Sequence, residues 1–391
     1  MKELIKKFFE EFSVVESNIK SFNDFVDYRL QAIVDELNKQ TDPSLGLRLG
    51  KVTVGKPIII EADGSQKPLL PAEARLRKLT YSAPVFLEIN LAKSGEKEYF
   101  NARICDLPVM VKSKYCHLAG MNEKALIENH EDPVDPGGYF ILNGNERVLV
   151  LVEDLAANQP FVEKDTYGNF VVRMFSERGA YRIPLNIHEN KEGEFQISFT
   201  RFKNLPLIPV IKGLGLVKDA DIFAEIGKEY DSLIVNFYSF TEIQKEDEAI
   251  QFLSERMNLS GIKSEIMERI RSRLDNFLLP HIGVETKDRI DKAKTLCKLL
   301  KQLLIVSKEK KQIDDKDHYL NKRIRLSGDL LTDLFRINLS ILVRDMQHTL
   351  ERFGKKKKLY SVNVIVKPAL LSRRIESAMA TGSWIGEKKG I

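Results

Sequence analysis

Between residues 47 and 203 apolar residues come in short runs cut by turn residues, whereas from 241 to 306, and again after the acidic cluster at 314–318, they recur at three-and-four spacing. The runs "GKPIIIEAD", "VFLEINLA" and "EYFNARICDLPVMV" read as strands, with Asp63-Gly64 and Ser94-Gly95 as turns between them. That segregation predicts an α+β fold. At 391 residues the chain is long enough for two or three domains.

The helical stretches differ in how well they declare a face. Residues 1–39 predict helix: Leu4, Ile5, Phe8, Phe9 and Phe12 share one side, then Phe22, Phe25, Val26, Leu30, Ile33, Val34 and Leu37 recur. Asp42-Pro43 ends that region. Near 203 the texture changes to a Pro-bounded segment, "LPLIPVIKGLGL", followed by "DADIFAEIG", which reads as a short capped helix. Farther on, Ile290, Ala293, Leu296, Leu300, Leu303 and Leu304 form one stripe, and Leu330, Leu334, Ile337, Ile341, Leu342, Met346 and Leu350 another. Helices from about 288 that pack back onto the strand-rich domain would make the middle an insertion. Periodicity leaves that open.

"PGGYFILNGNERVLVLVED" at 136–154 predicts a hairpin. Tyr139–Leu142 is its first strand, Asn143-Gly144 its turn and Arg147–Val152 its second strand, since Asn and Gly accept the positive φ of a tight turn. Gly137 and Gly138 let the chain bend sharply before it.

The charge is uneven. Residues 351–391 hold ten Lys or Arg against three acids, a net of +7, so the first 350 residues carry −2 of the total +5. The candidates for contact with a polyanion are Lys355, Lys356, Lys357 and Lys358 in a loop, Arg373 and Arg374 at the start of a helix-like run, and Lys388 and Lys389 in a Gly-bounded loop. Arg323 and Arg325 in "NKRIRLSG" join them. Neutralising phosphates with release of counterions is the gain such residues offer.

Other chemistry has weaker footing. Asp314, Asp315, Asp317 and His318 are the most metal-like cluster, but no second ligand group accompanies them and acids before a helix also cap it. Gly213 and Gly215 lack the third glycine of a dinucleotide turn, whose place is taken by Lys218. Cys116 beside Tyr115 and His117 has no identifiable activating partner. Cys105, Cys116 and Cys297 are too few and scattered for a disulfide framework, so a reducing, cytoplasmic setting is expected, and the lack of a run of about 18 apolar residues leads us to expect no membrane association.

Four blocks taken together resemble the second-largest subunit of multisubunit DNA-directed RNA polymerases, in its archaeal and eukaryotic form. They are "DPVDPGGYFILNGNERVLVLVEDLAANQP", "RFKNLPLIPVIKGLGLVKDADIFAEIG", "DDKDHYLNKRIRLSGDLLTDLFRINLSILVRDM" and "SAMATGSWIGEKKG", in order over essentially the whole chain. Ile385 and Gly386 after Trp384 give the archaeal flavour. The resemblance implies a protrusion from 1–180 and 288–350, an α/β lobe inserted at 181–287, and the start of the fork at 351–391. The hairpin is then a buttress of the protrusion on one wall of the DNA cleft. Lys355–Lys358 would fall in the first fork loop, Lys388 and Lys389 in the second, and Arg323 and Arg325 along the template path.

The resemblance also implies partners: the largest subunit, the C-terminal part of the second-largest subunit itself, DNA and RNA, and general initiation factors. No cofactor is expected in this chain. The Mg²⁺ of the whole polymerase is held by the largest subunit, and the chain contains no NADFDGD-like motif. The chain alone is therefore expected to be inactive as a nucleotidyltransferase. It stops where the family continues, as a fragment or the first half of a naturally split subunit would. A stand-alone metal-dependent nucleic-acid enzyme centred on Asp314–His318 and an initiation-factor-binding module are the rival readings.

Overall fold

The computed structural model describes residues 2–40, 46–93, 96–179, 181–227, 232–257, 262–308, 312–356 and 366–383. It is α+β, with antiparallel three- and five-stranded sheets. The chain divides into two compact units. One comprises Met1–Glu153 with Ile324–Ile391, and the other Asp154–Arg323.

The first unit begins with α1 (Lys2–Glu11) and α2 (Glu16–Asp24), which continues through a π turn at Phe25–Arg29 into α3 (Leu30–Gln40). Phe22, Phe25, Val26, Leu30, Ile33, Val34 and Leu37 are all buried, as their spacing predicts. Leu4, Ile5, Phe8 and Phe12 are exposed instead, so the apolar face of α1 lies outside this unit's core.

Strands β1 (Leu47–Val54), β2 (Ile58–Ile60) and β3 (Gln66–Pro68) lead to α4 (Pro71–Leu76), then to β4 (Ser82–Lys93) and β5 (Glu96–Pro108). The three-stranded sheet runs β1-β4-β5, with Leu49 opposite Ile89 and Val85 opposite Cys105. Val85, Leu87, Ile89 and Leu91 alternate inward and are buried, as a sheet with one covered face requires.

After α5 (Glu123–Glu128) comes the hairpin of β6 (Phe140–Leu142) and β7 (Asn145–Arg147). Phe140 pairs with Arg147 and Leu142 with Asn145, while Asn143 and Gly144 take φ of 51° and 78°. The turn is where the sequence puts it, but the second strand is not. A two-residue turn sets Asn145 directly opposite Leu142, and Gly137 and Gly138, both at positive φ, end the ladder on the other side. Val148, Val150 and Leu151 therefore lie beyond the pairing and are exposed. Gly144 is tightly seated: its N–H donates to the Leu79 carbonyl at 3.0 Å, and a Cβ there would lie 2.7 Å from Lys78 Cα.

The second unit follows β8 (Val152–Leu155) with a five-stranded meander. Its strands are β9 (Pro160–Lys164), β10 (Phe170–Arg178), β11 (Tyr181–Glu189), β12 (Phe195–Phe199) and β13 (Phe202–Pro206), in the order β13-β12-β11-β10-β9. Helices α6 (Leu207–Gly213), α7 (Asp219–Ile226), α8 (Ser232–Tyr238), α9 (Glu246–Arg256), α10 (Lys263–Phe277) and α11 (Arg289–Lys308) precede β14 (Lys322–Arg325). Ala293, Leu296, Leu300, Leu303 and Leu304 of α11 share one core with Val172, Leu185, Ile187 and Ile197 of the meander. The compact unit thus begins before 181 and ends after 287, and α11 belongs with the meander rather than with the first unit. Ile290, the first residue of the expected stripe, is exposed.

Two lysines are fully buried in this second core. Lys212 Nζ donates to the carbonyls of Phe240 and Ile243 at 3.2 and 2.9 Å and pairs with Asp219. Lys292 Nζ donates to those of Leu274 and Asp275 at 3.2 and 2.5 Å, closing the C-terminal end of α10. Burial pushes the Lys292 ammonium down to about 8, with Asp275 and Asp288 opposing.

The chain returns to the first unit through α12 (Ser327–Lys356) and ends its described part in α13 (Pro368–Thr381).

Candidate nucleic-acid interface

Helix α13 begins with Pro368 in its first turn, where the missing N–H costs nothing, and stops at Gly382 with φ 73°. Leu371, Ile375, Ala378 and Met379 face the core. Arg373 and Arg374 therefore sit in the middle of a helix and not at its start. Arg373 is exposed and Arg374 half-buried. Ser372 Oγ accepts the Asp106 N–H at 2.8 Å, fixing the helix to β5.

Helix α12 runs as far as Lys356, so Lys355 and Lys356 end a helix rather than lying in a loop. Lys357, Lys358, Lys388 and Lys389 lie outside the described residues.

The structure adds residues to the expected set. Arg344, His348 and Arg352 stand four apart on α12, all exposed, opposite the buried Val343, Met346 and Leu350. Neither arginine makes an ion pair with a described carboxylate. The signal is a four-residue spacing of basic residues between core positions, but Arg344 and His348 lie upstream of the charge excess, and Asp345 and Glu351 offset Arg344 and Arg352 in the count.

Arg325 and Arg323 are otherwise employed. Arg325 pairs with Asp333, which also accepts from Arg336 at 2.9 Å. Arg323 turns its guanidinium back onto the carbonyls of Leu320 and Lys322 at 3.0 and 2.8 Å, though it remains exposed.

The acidic cluster organises a turn. Asp314 accepts the Val162 N–H at 2.8 Å, Asp315 that of Asp317 at 2.9 Å, and His318 Nδ1 that of Leu320 at 3.2 Å. Among the described residues no group of three His, Cys, Asp or Glu is arranged to hold a metal ion. Gly215 punctuates the turn after α6 at φ 99°. Cys116 is buried, accepts from Tyr81 Oη at 3.3 Å, and burial pushes its thiol up, the opposite of what a nucleophile needs.

Under the hairpin lies an ionic hub. Arg75 donates to Glu131 at 2.9 Å, to Glu146 at 2.7 Å and to Tyr139 Oη at 2.6 Å. Burial opposes its charge, but Glu131 and Glu146 outweigh that and hold the guanidinium above its ordinary value. Among the described residues no helix is long and apolar enough to cross a membrane.

The family profile described as RNA polymerase beta subunit matches residues 13–375. The chain belongs to that family. Within this RNA polymerase beta-subunit family it is similar to the DNA-directed RNA polymerase subunit Rpo2N of Halobacterium salinarum, at 36% identity over 100% of this chain and 79% of the relative. It is similar to Rpo2N of Methanocaldococcus jannaschii at 38% identity, over 100% of this chain and 82% of the relative. The Rpo2 subunit of Saccharolobus solfataricus is 35% identical over 99% of this chain but only 35% of its own length. The chain therefore corresponds to the N-terminal part of the archaeal second-largest polymerase subunit. The family match takes in Arg344, Arg352, Lys355–Lys358, Arg373 and Arg374, while Lys388 and Lys389 lie beyond it.

Proposed function

We propose that this chain forms one wall of the DNA cleft of an archaeal-type RNA polymerase and contacts nucleic-acid phosphates during transcription. The first compact unit supplies the protrusion and the start of the fork, and the second supplies the lobe. The observation that carries the reading is the match along the whole chain to Rpo2N relatives of Halobacterium and Methanocaldococcus.

The mechanism is positional. Cations on a rigid frame neutralise phosphates without reading bases. Arg344, Arg352 and Arg373 support this, being exposed and unpaired among the described residues of the first unit. The same role is assigned to the fork lysines Lys355–Lys358, Lys388 and Lys389, and Arg323 and Arg325 serve as frame as much as contact. The partners are the other polymerase subunits and the C-terminal part of the second-largest subunit, above all the largest subunit, together with DNA, RNA and initiation factors. The second unit offers such factors Ile234, Val235 and Tyr238, exposed on α8. Catalytic Mg²⁺ belongs to the largest subunit, so the chain alone makes no RNA.

Reconstitution with the remaining subunits tests this. Nucleotide incorporation should require the complete set and be absent from the purified chain. Polymerisation by the chain alone, or failure of the chain to enter the complex, would overturn the reading.

A further inference from the structure

Glu376 stands three residues after Arg373 on α13, a spacing at which a carboxylate and a guanidinium reach each other across one helical turn. They do not pair. Instead Thr80 Oγ donates to Glu376 Oε1 at 2.5 Å. The same Thr80 oxygen accepts the Asn143 N–H at 3.1 Å, and the next turn residue, Gly144, donates to Leu79 at 3.0 Å. A relay thus runs from the hairpin turn through Thr80 to the basic helix.

Anchoring does not explain this relay. Four buried side chains and the Ser372–Asp106 bond already fix α13. What Thr80 changes is electrostatic, because a carboxylate committed to a hydroxyl is withdrawn from its neighbouring arginine. We propose that Thr80 is a positioning residue that commits Glu376 and so leaves the Arg373 guanidinium available to a phosphate. This rests on α13 being a phosphate-facing surface. It also assigns the hairpin a use, since the turn orients the hydroxyl by occupying its acceptor side.

The relay can be tested without nucleic acid. Modification of Arg373 by phenylglyoxal, followed by peptide mass spectrometry, reports whether its guanidinium is paired. Thr80→Val should slow that modification about twofold, the size expected of one helical ion pair, and Thr80→Ser should leave it unchanged. Adding Glu376→Gln to Thr80→Val should restore the original rate. Equal rates in wild type and Thr80→Val, or slowing that persists in the double variant, would overturn the proposal. Should Thr80→Val not fold, Glu376→Asp takes its place: its shortened carboxylate leaves Thr80 and should slow Arg373 in the same way.

Binding of a short DNA duplex across a salt series supplies the second reading. The slope of log affinity against log salt should shrink by up to about one in Thr80→Val and in Arg373→Ser, and recover in the double variant. If modification rates follow the prediction while Arg373→Ser leaves the slope unchanged, the relay stands and the phosphate-facing role of α13 fails.

Discussion

The first unit is assembled from both ends of the chain, whereas the second is one continuous stretch. The difference shows in what holds each together. In the first, Arg29 pairs with Asp329, Arg336 with Glu36 at 3.2 Å, and Ser327 N–H with Asn18 Oδ1 at 3.1 Å, contacts that span some three hundred residues of sequence. Phe22 meets Phe140 edge to face at 5.7 Å, joining the N-terminal helix to the hairpin. The second unit relies on a meander whose neighbours in sequence are neighbours in space, and on buried lysines that close helix and turn ends. A discontinuous unit must be held by specific long-range pairs, because chain connectivity does little of the work. Arg29, Arg75 and Arg336 are answered by carboxylates inside the unit, whereas Arg344, Arg352 and Arg373 on α12 and α13 are exposed with no ion pair among the described residues.

The largest effect should therefore come from breaking the hub of the first unit. Arg75→Ala leaves Glu131, almost wholly buried, with a charge answered among the described residues only by the Ala72 N–H at 2.6 Å. A loss of about 3 kcal/mol is expected, read from the urea midpoint of a probe in the first unit, with the second unit unchanged. Coincident loss in both would show that the two are one cooperative body.

Glycines at positive φ sharpen the same contrast. Gly144→Ala must strain a left-handed residue and also push Lys78 Cα, while Gly168 in the second unit, at φ 86°, has nothing within 4 Å. We expect about 2 kcal/mol for Gly144→Ala and about 1 kcal/mol for Gly168→Ala. Equal costs would mean the hairpin turn yields more easily than its packing suggests.

Much of this is legible in the sequence. The three-and-four spacing from Phe22 to Leu37 marks a buried face, and Asn143-Gly144 marks its turn, because both signals are local. What fails is of a different kind. The α11 stripe shows that a face is buried but not against which sheet, since periodicity carries no partner. Leu4, Ile5 and Phe8 of α1, and Phe12 just after it, share a face yet are exposed. Among the candidate contacts, charge singles out Arg373, but its place in mid-helix follows from Pro368 setting the start, and Arg344 is offset in the charge count by Asp345 beside it.

A smaller effect separates the units by pH. Lys292 is lowered to about 8 in the fold, so the unfolded chain binds more protons between there and the ordinary lysine value. Stability from this group is fully present above the unfolded value and is lost as pH falls from there to about 8. Cys297, pushed up to about 12 by burial, works in the opposite direction above the ordinary thiol value, so the variant comparison is needed to isolate the lysine. Relative to Lys292→Met, wild-type stability of the second unit should rise by about 1.5 kcal/mol from pH 8 to 9.5. A flat difference would mean that the carbonyls of Leu274 and Asp275 hold the ammonium charged throughout.

The smallest expected effect bears most directly on function. Arg344 is exposed and unpaired among the described residues, so Arg344→Ser should change stability by less than about 0.5 kcal/mol. In the assembled polymerase it should still weaken the hold on DNA by roughly half a kcal/mol, the scale of one exposed ion pair, with the loss fading at high salt. Arg325→Ser should do the reverse. Its guanidinium already answers Asp333 inside the first unit, so the cost should appear in unfolding and little in DNA binding. If the two exchange behaviour, the distinction between cations that build the frame and cations that meet phosphate is drawn in the wrong place.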